Sequence, residues 1–138
     1  MKVRWTNESL RLRITPSELG ALGRGATVAE RVTLPGGGWE VRLVPGATAL
    51  GVEWSAGVAV IGISDTDVTA LTEPEREGIY GRDGQLRLLV EKDYPCAHPH
   101  AREAAEPETE RFVPPEPFLA RRQAPRDEIP VCGEFSIP

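Results

Sequence analysis

Apolar and polar residues alternate along much of the first ninety positions. Leu10, Leu12 and Ile14 interleave with Arg11 and Arg13, the period of a half-buried strand. Val3 and Trp5 predict a shorter arm before it, set off by the turn-like Asn7-Glu8-Ser9. Thr15, Pro16 and Glu18 then occupy the N-cap, N1 and N3 positions of a capping box. Leu19 and Leu22 give that short helix an apolar side, and Gly23 and Gly25 end it. "TVAERVTL" and "WEVRLV" flank a "PGGG" turn and predict an antiparallel hairpin. "VEW" and "VAVIGI" predict two further strands around Ser55-Ala56-Gly57. Ser64 caps a second helix with Asp65 and Asp67 in its first turn, Val68 and Leu71 on its apolar side and a stop before Pro74. "EGIYG" and "QLRLLVEKDY" predict the last strands.

The pattern repeats. "LRLRITPSELGAL" and "VAVIGISDTDVTAL" both read as a strand, a capped short helix and an apolar pair. Thr15 matches Ser64, Glu18 matches Asp67 and Leu22 matches Leu71, always 49 positions apart. Each is followed by two strands around a glycine-rich turn. The expected fold is therefore α+β, a duplicated β-α-β-β unit forming a sandwich or partly closed barrel with two short helices. Residues 1–94 would be the compact domain. Residues 95–138 hold nine of the thirteen prolines and eight acidic residues against five arginines. That balance predicts an acidic, proline-rich tail, extended or wrapping the domain, with little regular structure. Phe112, Phe118, Ile129 and Phe135 are its spaced apolar anchors.

A length of 138 residues suits one domain, and few aromatics leave the core to Val, Leu, Ile and Ala. The net charge of -5 offers no global attraction to a phosphate backbone, so no nucleic-acid partner is expected. No apolar run approaches a membrane span. The first residues lack the apolar stretch of a signal peptide, and the cytoplasm is the expected location.

The densest ligand chemistry is "CAHPH". Cys96, His98 and His100 share one face of an extended chain, and Cys132 would supply a fourth zinc ligand if the tail folds back. The plainer reading leaves Cys96 at the edge of the core and both histidines in solvent; a disulfide or reactive thiol is a third. Arg4, Arg11, Arg13, Arg42 and Arg87 fall on strands. They predict surface salt bridges, with Glu8, Glu30 and Glu40 as partners, or an anion site if several share a face. Glu91 and Asp93 read as a solvated strand end. The glycine clusters fit neither phosphate loop, and Trp5, Trp39 and Trp54 read as core or sheet-edge aromatics.

"SLRLRITPSEL" and "GQLRLLVEKDYPC" resemble the two ends of a small uncharacterised bacterial family, with an LRLRLTxxE-like opening and an LVEKDFxC-like late strand. The resemblance runs from residue 1 to about 96 and implies a compact domain without a transferable function. The leading expectation is a small soluble binding or accessory protein with a protein partner or homodimer through a sheet edge or the tail, and no required cofactor. The alternatives are a zinc-binding protein and an enzyme or binder for a small anionic ligand. No catalytic residue is assigned.

Overall fold

The computed structural model describes residues 1–95 and 110–123. Its chain order is β1 (Lys2–Trp5), β2 (Ser9–Ile14), α1 (Pro16–Gly23), β3 (Val28–Leu34) and β4 (Gly37–Pro45). Then follow β5 (Gly51–Ser55), β6 (Val58–Ile63), α2 (Asp65–Leu71), β7 (Gly78–Asp83), β8 (Leu86–Lys92) and α3 (Glu116–Gln123). The strands form two four-stranded sheets, β1-β2-β8-β7 and β3-β4-β6-β5.

The duplication is present, with an exchange that changes its meaning. Each half is a hairpin, a helix and a second hairpin: β1-β2-α1-β3-β4, then β5-β6-α2-β7-β8. The two hairpins of one half lie in different sheets, so each sheet joins the first hairpin of one half to the second hairpin of the other. The seams are parallel, β2 with β8 and β4 with β6, while every hairpin is antiparallel. Register is the same at both seams. Ser9 lies beside Arg87, and Val58, the residue matching Ser9, lies beside Glu40, the residue matching Arg87. Neither sheet closes into a barrel. The open edges of β5 and β7 meet instead through one side chain, the Val52 N–H donating to Asp83 Oδ2 at 2.9 Å.

The capping expectations hold in atomic detail. The Thr15 hydroxyl accepts from the Glu18 N–H while the Glu18 carboxylate accepts from the Thr15 N–H. Ser64 accepts from the Asp67 N–H at 3.0 Å. These caps satisfy N–H groups that the first helical turn leaves without partners. Each helix then spans from one sheet to the other and buries its apolar pair, Leu19 and Leu22 in α1, Val68 and Leu71 in α2. Both sheets contribute their inward residues to one core, including Leu10, Leu12, Ile14, Leu88 and Val90 from one and Val41, Leu43, Ala59, Ile61 and Ile63 from the other. The end of the sandwich away from the helices carries a cluster of partly exposed tryptophans. Trp5 and Trp54 occupy matching positions of the two halves and meet edge to face at 5.7 Å, with Trp39 edge-on to Trp5 at 6.2 Å.

The described segment 110–123 contains α3. Pro117 falls in the first turn of that helix, where a missing N–H costs nothing, and Leu119, Ala120, Arg121 and Gln123 are good helix formers. The segment docks at the helix end of the domain. The Phe112 N–H donates to the Asp93 carbonyl at 3.0 Å, and Tyr94 packs against Phe112 and Phe118. Ser17 bonds Glu110, and Arg121 pairs with Glu77. Beneath Phe112, buried Lys92 donates its ammonium to the Glu73 carbonyl at 2.6 Å and lies 5.5 Å from the ring centre. Burial pushes the Lys92 ammonium below its ordinary pKa.

Because Leu22 and Leu71 occupy matching, fully buried positions, their truncation should cost similar amounts. Leu22→Ala and Leu71→Ala are each expected to lose about 2–5 kcal/mol of stability in urea denaturation. A near-neutral result for either one would show that the two helices do not carry equivalent packing.

Candidate functional site

The inward residues of β2 are buried, so strand alternation turns Ser9, Arg11 and Arg13 outward. Register then assigns the rest of this outer face. Lys2 lies opposite Arg13 and Arg4 opposite Arg11 across β1-β2. Leu89 sits beside Arg11 and Glu91 beside Arg13 across β2-β8. Tyr80 lies opposite Leu89, and Arg82 opposite Arg87, across β7-β8. The strand positions of this face thus hold six cations and one carboxylate, Glu91.

Every charged pair across its two hairpins is like-charged: Lys2 with Arg13, Arg4 with Arg11, Arg82 with Arg87. Like charges directly opposite destabilise a sheet. Glu91 offsets part of this, 3.4 Å from Arg11 Nε and 3.9 Å from Arg13 Nε. Lys2 reaches Asp93 at 3.3 Å. Arg4, Arg82 and Arg87 make no ion pair among the described residues.

The other sheet supplies an internal control. Arg31 and Glu40 occupy the positions that match Arg82 and Arg87, and there the pair is complementary. Arg31 donates to Glu40 at 2.8 Å and Arg42 donates to it at 2.7 Å. These two bonds, Arg42's first, hold the Glu40 carboxyl down at about 2. The strand positions of that outer face balance Arg31 and Arg42 against Glu40 and Glu53. The same backbone therefore carries a neutralised face on one sheet and a cationic face on the other.

Tyr80 occupies a defined place on the cationic face. Tyr80 is 58% exposed, and its hydroxyl and the Glu91 side chain both lie over Gly78. A methyl group added at Gly78 would lie 2.9 Å from that hydroxyl. The Tyr80 side chain therefore lies along its strand, across the bare Gly78 backbone. Burial, then the neighbouring Glu91 charge, push its phenol above the ordinary range.

The second sheet has a shallow groove of about 390 Å³ near the β3-β4 turn, bounded by Arg31, Thr33, Leu34, Gly38, Glu40 and Val58. At its turn the β3-β4 hairpin runs two residue pairs beyond its counterpart, Thr33 with Gly38 and Leu34 with Gly37, and this overhang shapes the groove. Its two charged groups already neutralise each other.

The expectation of a metal-binding protein is corrected. Among the described residues, no group of three or more His, Cys, Asp or Glu side chains is placed to hold a metal ion. Carboxylates near the end of the first sheet are committed elsewhere, Glu91 to arginines and Asp93 to Lys2. Cys96, His98, His100 and Cys132 lie outside the described residues. Asp93 also departs from the solvated strand end expected for it: it is only 2% exposed, and its backbone carbonyl receives the returning segment. The predicted salt bridges form at Arg42 with Glu40, whereas Glu30 lies 3.7 Å from the N-terminal amine. No helix among the described residues is long and apolar enough to cross a membrane.

A family model matches residues 1–115, which takes in both sheets, both interior helices and Phe112. The chain belongs to this family, a family of unknown function (DUF7009). Comparisons with curated proteins and with solved structures gave no match. The family match covers the residues of the cationic face and assigns them no role.

Two outcomes follow from the contrast between the sheets. Arg87→Glu places opposite Arg82 the acid that Glu40 provides opposite Arg31. It should raise stability by about 0.2–1 kcal/mol in urea denaturation, and a loss would contradict the like-charge account. Glu40 has a depressed folded pKa, so its contribution is present above its ordinary value of 4.5 and is lost as pH falls toward about 2. The stability advantage of the native protein over Glu40→Gln should shrink across that window; a constant gap would contradict the charged pairing.

Proposed function

We propose that this protein is a small binding domain for an anionic partner, which it meets with the outer face of the β1-β2-β8-β7 sheet. One observation carries the reading: three like-charged pairs stand across the hairpins of this face while the matching face of the other sheet is neutralised. A protein with net charge -5 has acidic residues to spare, so the excess of cations reflects placement rather than composition. Natural sheets give up stability of this kind where function requires it. Arginine is also the cation whose planar fork matches carboxylate and phosphate oxygens in pairs. Residues 1–94 act as the binding body in this reading. The described segment 110–123 of the arm docks at the helix end of the sandwich, at Asp93 and Tyr94.

Heparin-agarose tests this directly, since net charge alone predicts exclusion from a polyanionic matrix. The protein should be retained at low salt and released as salt rises. Arg4→Glu combined with Arg82→Glu should abolish retention. The same charge change placed off the face, Arg24→Glu with Arg76→Glu, should leave most of it. Equal loss in both double variants would refute a binding face.

A further inference from the structure

We propose that the anionic partner is single-stranded nucleic acid, with Tyr80 as a base-stacking platform and Arg4, Arg82 and Arg87 as phosphate contacts. This deepens the anion-binding reading and rests on it. Three features of the face favour an extended polyanion with aromatic groups.

The first is shape. Small-ligand sites are concave and surround their ligand, whereas these cations stand on the open face of a four-stranded sheet. At about 4.8 Å between strands, the row Arg4, Arg11, Leu89, Tyr80 extends roughly 14 Å across the sheet. A linear chain of charges can meet such a row, while one small anion meets only one or two of its members.

The second feature is Tyr80. An acidic polypeptide would be served by the arginines alone and has no general use for an exposed ring laid along the sheet. A nucleobase does, because every base has a π-face and stacking tolerates any sequence. The ring is pre-positioned because the missing side chain at Gly78 leaves the space it lies across. Its placement therefore costs little ordering on binding. Leu89 beside it adds an apolar surface at the same level.

The third is the position of the cations about that ring. Arg82 lies two residues along the same strand and face, about 7 Å from Tyr80, with Arg87 directly opposite it. Arg4 stands at the far end of the row. A base stacked on Tyr80 would place its flanking phosphates toward cations on both sides. Unpaired bases are needed for stacking, so the open strand is favoured over the duplex. Net charge weighs the whole chain, but a bound strand meets one face, and within a Debye length of about 8 Å that face sets the local field.

Fluorescence anisotropy with a labelled oligouridylate of about 12 nucleotides is the test. Binding should weaken with salt, and Arg82→Gln should reduce the salt slope by about 0.7, one single-strand phosphate contact. Tyr80→Ala should weaken binding on the order of tenfold with the slope unchanged, while Tyr80→Phe, which keeps the ring, should stay close to the native protein. Tyr80 is exposed, and matching thermal midpoints establish that each variant folds. If Tyr80→Ala binds as the native protein does, the nucleic-acid proposal falls. It falls equally if an oligoglutamate of equal charge competes as well as unlabelled oligouridylate. In both cases heparin retention, with its dependence on Arg4 and Arg82, leaves the anion-binding face standing. Loss of heparin retention together with absent oligouridylate binding overturns both.

Discussion

The parallel seams between β2 and β8, and between β4 and β6, are the constraint on which this molecule depends. A two-stranded hairpin is at best marginally stable in water. Here each half of the chain consists of two hairpins that never share a sheet, so neither half completes a sheet by itself. The seams join residues far apart in sequence, such as Leu10 with Leu88, and the core closes only when both seams have formed. Loop closure over such spans precedes most of the stabilising burial. The caps at Thr15 and Ser64 assist by fixing the two helices locally, and each helix carries the chain from one sheet to the other.

A duplicated backbone with exchanged hairpins also allows sequence differences between equivalent positions to be read as differences of purpose. Core positions differ little in character: Leu12 corresponds to Ile61 and Leu22 to Leu71. Those residues face demands set by packing, which both halves share. Outer positions have no such common demand. The counterpart of Glu40 is Arg87, and the pairing with arginine is absent there. Packing explains the first set, and the proposed anionic partner would account for the second.

Much of the backbone was legible in the sequence because its signals are local. Alternation in "SLRLRI" and "VAVIGI" marked buried strands, and the cap residues marked both interior helices at their first residue. The exchange of hairpins was not legible, since period and turn chemistry say which strands are adjacent in sequence but not which meet across a parallel seam. The same gap hid the cationic face. Arg11 and Arg13 were visible as an outward pair, but Arg4, Arg82 and Arg87 join them only through registers that the sequence does not display. Tyr80 sat in "EGIYG", too short and glycine-rich to identify a platform, and the role of Gly78 in seating it depends on where the Tyr80 hydroxyl lies along the same strand. α3 was obscured by the prolines around it, although Pro117 occupies a turn that tolerates it.

In the proposed reading, the outer face of the first sheet is where this domain meets an anion. The most direct measurement is amide and arginine side-chain NMR mapping during titration with inorganic polyphosphate. Shifts should concentrate on Arg4, Arg11, Arg82 and Arg87 and on the strands that carry them, with Arg31 and Arg42 unmoved in their pairing with Glu40. Shifts centred on the second sheet or the helix end, or spread evenly over the surface, would contradict it.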